Sequence, residues 1–338
     1  MLIQKDFQLK DYNTFGLRVR ADYFSEVNTS IDLKNIIESH EFRNNKSIIM
    51  GEGSNILFTE DFSGFVIYMN LRGMRMVEID EDFVVMEASA GENWHNFVDI
   101  CLKNRYYGLE NLALIPGKVG AAPVQNIGAY GVEQKDYFHS LTGIDMRTGE
   151  IRHYAADECG FGYRSSIFKK HLRDRFIITE VRYRLPKQSS LNLSYHELDR
   201  EVRKFVVVEP DARYVFETVC RLRRRKLPDI NAFPNAGSFF KNPVIDIQKY
   251  NEIKKDHPRI IAFEDEPGKM KISAGWLIDD CGWKGKSIGD AAVFEKHALV
   301  LINKGNATGK EILQLANEII ESVDRKFDIR LQPEVRIV

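Results

Sequence analysis

The stretch from Gly108 to Gly131, GLENLALIPGKVGAAPVQNIGAYG, limits most sharply what this chain can fold into. Glycine, alanine and proline at this density are poor material for strand interiors, and the glycines and prolines also weaken a helix. The stretch therefore reads as a long ordered loop. With so few bulky side chains, it lets a flat ring or a phosphate chain approach the backbone closely. A loop with only a structural task is the alternative.

A second glycine segment, Gly51-Glu52-Gly53-Ser54-Asn55, lies between the apolar run ending at Met50 and the strand-like Ile56-Leu57-Phe58. It lacks the third glycine and the following helix of a dinucleotide fingerprint, so phosphate binding on a helix end is excluded. Two readings remain. One is a glycine hairpin. The other is a nest of backbone N–H groups, aided by the Ser54 hydroxyl and the Asn55 amide, that wraps a pyrophosphate. Taken together, the two glycine segments favour a large planar nucleotide cofactor.

At 338 residues the chain is long enough for two or three domains. Lys and Arg number 48 against 49 Asp and Glu, so no global charge draws it to nucleic acid or a membrane. Apolar runs such as Ala298 to Ile302 are far shorter than the ~18 residues that span a bilayer. Met1 to Asp6 has no apolar core of a secretion signal, and a cytoplasmic protein is expected. Cys101, Cys159, Cys220 and Cys281 are dispersed, with no spacing that holds a metal or a haem.

Periodicity divides the chain into three parts. Residues 1–69 read as a small α/β unit, with a Ser-capped helix over Ser30 to Phe42 ahead of the first glycine turn. Residues 70–226 read as a mixed domain. It has hairpins around Asp80-Glu81-Asp82 and Arg147-Thr148-Gly149-Glu150, and an alternating strand through Ile177, Thr179, Val181, Tyr183 and Leu185. Trp94, Phe97, Val98 and Cys101 mark a core-facing helix stripe, and a last helix from about Asp211 stops at Pro228. Residues 227–327 form a third unit ending in a helix with Ile312, Ala316, Ile319, Ile320 and Val323 inward. The tail Leu331 to Val338 reads as a strand.

Three positions carry chemistry. Arg164, in Phe161-Gly162-Tyr163-Arg164, is a guanidinium among aromatics, suited to a carboxylate or a developing oxyanion, or else to stacking alone. Ser238, in Asn235-Ala236-Gly237-Ser238-Phe239-Phe240-Lys241-Asn242-Pro243, is one hydroxyl among small residues, enclosed by aromatics, a cation and an amide. It is either a proton donor to a buried substrate or part of a turn entering an edge strand. Glu334 is a carboxylate on an otherwise apolar terminal strand, which alone reads as a solvent-facing residue and gains interest only in the company of the other two. The run Arg221 to Lys226 suits a helix C-terminus, and Lys226 is its best-placed candidate for a diphosphate.

These segments, in order with Asn13-Thr14-Phe15-Gly16 and Pro333-Glu334-Val335, closely resemble the UDP-N-acetylenolpyruvoylglucosamine reductase family over nearly the whole chain. The resemblance implies an α+β fold. Its parts are a two-part FAD-binding module of the vanillyl-alcohol-oxidase-like type (1–69 joined by a C-terminal strand 328–338, and 70–226) and a separate α/β substrate-binding domain, 227–327. It implies Arg164, Ser238 and Glu334 as catalytic residues and Tyr195, Lys226 and Asn242 as substrate contacts. It implies non-covalent FAD held by Gly51, Glu52, Gly53, Ser54, Asn55, Ile115, Pro116, Gly117, Ala121, Ala122, Ile127 and Gly128. No metal is expected.

The implied reaction has two halves, with NADPH as co-substrate and a UDP-sugar as substrate. Reduction of an enolpyruvyl ether to a lactyl ether follows, with Ser238 supplying the proton. Glu334 is either neutral and donating a hydrogen bond or orienting Arg164. Ala121 and Ala122 stand where some relatives carry hydroxyls, so a pyrophosphate leans more on backbone donors. A monomer is expected. Another FAD oxidoreductase of the same fold, or a non-catalytic flavin or UDP-sugar binding module, are the alternatives. The absence of a Cys or His in a flavin-tethering context disfavours a covalent-flavin oxidase.

Overall fold

The protein, a computed structural model, is described over residues 2–204 and 209–338. It divides into two compact units, one of Met1–Phe7, Ala21–Glu52 and Ser63–Arg223, the other of Gln8–Arg20, Gly53–Phe62 and Arg224–Val338.

The first unit contains two sheets. In the smaller, strands run in the order Gln4–Gln8, Arg20–Val27, Phe62–Met69, Ser47–Met50, and the last two are parallel, with Met50 opposite Tyr68. Helix α1 (Ser30–Glu38) begins at Thr29, not at the serine after it. The Thr29 hydroxyl accepts the Asp32 amide while the Asp32 carboxylate accepts the Thr29 amide, a reciprocal cap. The expected single helix is broken at Ser39, which is extended (φ −68°, ψ 148°) and caps a further turn, α2 (His40–Arg43). Leu33, Ile36, Ile37 and Phe42 from these turns pack with Val27, Phe65 and Ile67.

The larger sheet has the order Ile151–Ala155, Phe138–Asp145, Phe176–Pro186, Phe83–Ser89, Met74–Ile79, all antiparallel. Both expected hairpins are present. Helix α3 (Trp94–Lys103) buries Trp94, Phe97, Val98 and Cys101 as its stripe requires. The fully buried Tyr183 ring meets Trp94 and Phe97 at 5.6 and 5.5 Å. Each such side chain contributes roughly 1.5–3 kcal/mol on leaving water. A short helix α4 (His196–Arg203) and the long α5 (Ala212–Lys226) complete this layer, α5 turning Val215, Phe216, Val219 and Leu222 inward.

The second unit is built on an antiparallel sheet ordered Asn235–Ser238, Val300–Asn303, Ala291–Val293, Ser287–Ile288, with a separate three-stranded sheet of Val244–Asp246, Lys269–Ile272 and Ala262–Glu264. It carries α6 (Ile247–Asp256), α7 (Ala274–Asp280) and α8 (Gly309–Phe327). Thr308 and Glu311 cap α8 reciprocally, Ile312, Ala316, Ile319 and Val323 are buried, and Asp328 ends it in a left-handed turn. The tail is a strand only at Arg336–Ile337, parallel to Ile56–Leu57.

The strands flanking the first glycine turn therefore join different sheets: Ser47–Met50 pairs with Phe62–Met69, and Ile56–Leu57 pairs with the tail. The turn is not a hairpin. Among the described residues no helix is long and apolar enough to cross a membrane.

Candidate active site

Within the first unit, the second glycine loop is tied down by residues distant in sequence. The Glu52 carboxylate accepts the Gly117 amide at 2.8 Å and the Asn93 side-chain amide at 2.7 Å. Lys118 is almost fully buried. Its stem lies 3.3 Å from where a Cβ on Gly51 would sit, and its Nζ donates to the Met69 carbonyl at 2.8 Å above the Tyr68 ring. Burial, helped by Arg72, pulls the Lys118 pKa down to about 8.

The N–H groups of Gly117, Val119, Gly120, Ala121 and Ala122 are all donated inside the protein. By contrast, those of Gly51 and Glu52 in this unit, and of Gly53 and Ser54 in the other, donate to no acceptor among the described residues. Gly53 has φ +62°, and a Cβ there would lie 2.1 Å from the Tyr12 carbonyl oxygen. Only glycine fits. Uncommitted N–H donors suit a pyrophosphate, so within the first unit Gly51 and Glu52 fit FAD better than Ala121 and Ala122.

Arg164 also lies in this unit, at φ +51°, inside a tight turn closed by Gly162 and Ser165. Its Nη2 donates to the Gly128 carbonyl at 2.7 Å, and the guanidinium lies 5.6 Å from the Tyr163 ring centre. Two further bonds fix the turn to the glycine loop: Asn126 Nδ2 to the Gly162 carbonyl at 3.2 Å, and the Ser166 hydroxyl to the Val124 carbonyl at 2.6 Å. Asn126 is itself fully buried and accepts from Gln134, which accepts the Tyr183 hydroxyl. Held in a left-handed conformation by a buried network, Arg164 is a preset cation.

Tyr195 precedes α4 and packs edge-on against Tyr130 of the glycine loop, centroids 5.3 Å apart. Asn111 bonds both Tyr130 and Asn192, so the segment leading to Tyr195 is laced to that loop. Burial, then Glu197, raises the Tyr195 pKa, so the hydroxyl stays protonated as a donor.

In the second unit, Ser238 ends its strand beyond a register shift. Asn235 faces Ile302 and Ser238 faces Val300, with Gly237 at φ +69° between them. Such an irregularity interrupts the strict alternation of faces along the strand. Phe239 and Phe240 beside it are fully buried. The Glu334 amide donates to the Phe239 carbonyl and the Lys241 amide to the Gln332 carbonyl, so the structure brings Ser238 and Glu334 onto adjacent segments. Asn55 joins them: its side chain reaches the Glu334 carbonyl at 3.4 Å and its carbonyl accepts the Arg336 amide. Asn242 Oδ1 accepts the Ala274 amide at the start of α7, leaving its NH2 as donor. Lys226 is the last residue of α5.

Sequence reasoning assigned no role to Glu52 as an anchor, to Asn126, or to Asn13, whose side chain staples its own loop through Leu9 and Leu17. Their amide and carboxyl side chains beside glycines were the only signal. No group of three or more His, Cys, Asp or Glu among the described residues is placed to hold a metal ion.

A family model for an FAD-binding domain matches residues 21–155, and one for the UDP-N-acetylenolpyruvoylglucosamine reductase C-terminal domain matches residues 229–338. The chain is 44% identical to the UDP-N-acetylenolpyruvoylglucosamine reductase of Flavobacterium johnsoniae over 100% of both chains. It is 44% identical to that of Burkholderia orbicola over 97% of this chain and 95% of the relative. The crystal structure of the Thermus caldophilus reductase superposes with a TM-score of 0.67 at 26% identity, covering 100% of this chain and 99% of that one. The chain belongs to the UDP-N-acetylenolpyruvoylglucosamine reductase family.

Proposed function

We infer that the chain is an FAD-dependent oxidoreductase that reduces UDP-N-acetylglucosamine enolpyruvate to UDP-N-acetylmuramate in peptidoglycan precursor synthesis. The carrying observation is full-length 44% identity to a reductase of that name. The preset Arg164 and the joined Ser238 and Glu334 segments support it.

FAD, when bound, supplies the hydride chemistry. Arg164 meets the negative charge that spreads into the substrate carboxylate as the double bond is reduced, which is stabilisation where charge grows. Ser238 gives its proton to the carbon that becomes basic. A hydroxyl is a weak acid, but such a carbon is a stronger base than an alkoxide, so the transfer runs downhill. Glu334, on the segment bonded to Phe239, completes the set. Tyr195, Lys226 and the Asn242 NH2 bind the UDP-sugar. FAD is held at Gly51, Glu52, Gly53, Ser54 and Asn55, and along Ile115, Pro116, Gly117, Ala121, Ala122, Ile127 and Gly128, with the pyrophosphate on the first group. NADPH as electron donor, a monomeric cytoplasmic enzyme and the three-part division at 69, 226 and 327 belong to the same proposal.

The test is to purify the protein, confirm bound flavin by its yellow colour, bleach it anaerobically with NADPH, and add the enolpyruvyl sugar. Rapid return of colour with formation of the lactyl ether is expected. A reduced flavin that only air reoxidises contradicts the reading.

A further inference from the structure

Leu114 has φ +58°, a left-handed backbone that costs an L-residue roughly 1–2 kcal/mol. It immediately precedes Ile115-Pro116-Gly117, and both of its backbone groups are taken by side chains from two helices. Nδ1 of His95, the second residue of α3, accepts its N–H at 3.0 Å. Nε of Arg223, near the end of α5, donates to its carbonyl at 3.1 Å. The two helices meet at the same place, where the His95 ring stacks on Phe216 with centroids 5.2 Å apart and planes 11° from parallel.

Neither side chain has a task in the reaction above. Acceptance at Nδ1 requires His95 to carry its proton on Nε2. Burial pushes the Arg223 pKa down, and no carboxylate pairs with it among the described residues. Its Nε is committed to the carbonyl of the left-handed residue itself.

We propose that His95 and Arg223 are positioning residues of the cofactor site: they clamp Leu114 from both sides and so set the direction in which Ile115, Pro116 and Gly117 face the flavin. The inference rests on the reading of Ile115 to Gly117 as cofactor-binding. Its physical content is that part of the affinity for FAD is stored as a preformed turn.

The test compares His95→Phe, which keeps a ring on Phe216 and removes the acceptor, with His95→Asn, which places an amide oxygen near the position of Nδ1. Full-length protein is stripped of flavin and titrated with FAD, and amide exchange at Leu114 and Ile115 is followed with and without it. His95→Phe is expected to speed exchange at Leu114 and weaken FAD binding about tenfold, the equivalent of one buried donor left unpaired. His95→Asn is expected to recover most of both. If His95→Phe does not fold, Arg223→Met removes the other half of the clamp and is read in the same way. Wild-type affinity despite faster Leu114 exchange, or unchanged Leu114 exchange, overturns the inference while leaving the cofactor reading intact. If FAD leaves Ile115 exchange unaltered in the wild type, the reading of that loop fails, and the inference with it.

Discussion

The Glu334 amide donates to the Phe239 carbonyl at 2.7 Å, stitching the C-terminal tail to the segment that carries Ser238. The Phe240–Pro333 bridge and the bond from Lys241 to Gln332 extend the seam. These bonds are all made by backbone groups.

Glu334→Gln therefore separates chemistry from architecture. The chain should still fold, while turnover falls by about tenfold or more, because an amide keeps the shape but loses the carboxyl group that orients Arg164 or donates a hydrogen bond. Thermal melting and steady-state rates check this. Unchanged turnover removes Glu334 from the catalytic set.

Arg164→Lys is expected to be severe although charge is kept. Nη2 is already committed to the Gly128 carbonyl. A planar fork pairs with a carboxylate in a geometry that one ammonium cannot match. The loss belongs to the step that reduces the sugar and should be about 2.7–4 kcal/mol, as for oxyanion donors elsewhere. Single-turnover reoxidation by the enolpyruvyl sugar measures it, and near-normal rates refute the role.

Lys118 makes stability depend on pH. Its pKa falls from the ordinary 10.5 to about 8 on folding, so between these values the unfolded chain binds more protons and stability rises with pH. Urea midpoints of wild type and Lys118→Met at pH 7 to 10 isolate the effect. Wild type should gain relative to the variant above pH 8, and a constant difference contradicts the assignment.

Lys226→Ala should raise KM for the UDP-sugar and leave the maximal rate nearly unchanged, since a remote diphosphate contact binds ground state and transition state alike. Tyr195→Phe should behave in the same way. A lower maximal rate at unchanged KM would argue against the assignment of Lys226.

Much of this was readable in sequence where burial imposes a period. The stripe Trp94, Phe97, Val98 and Cys101 gave α3, and the alternation through Val181, Tyr183 and Leu185 gave the central strand. Helix α6 buries no residue and so leaves no stripe to read. The tail looked like an eight-residue strand, yet Pro333 lacks a donor and only Arg336–Ile337 forms a ladder. Glycine turns were visible as turns, but not their partners: Glu52 finds Gly117 across 65 residues and Asn93 across 41, and no local pattern encodes that. The candidate site residues came from a family resemblance; the bonds around them needed the fold.

The role of Ser238 as proton donor is the centre of the account, and Ser238→Ala tests it most directly in the two half-reactions measured separately. Bleaching of the flavin by NADPH should proceed at close to the wild-type rate. Reoxidation by the enolpyruvyl sugar should fall by about 10² to 10⁴, with Ser238→Cys restoring part of it because a thiol is the stronger acid. Equal slowing of both halves in Ser238→Ala would contradict the account and make Ser238 a packing residue of its turn.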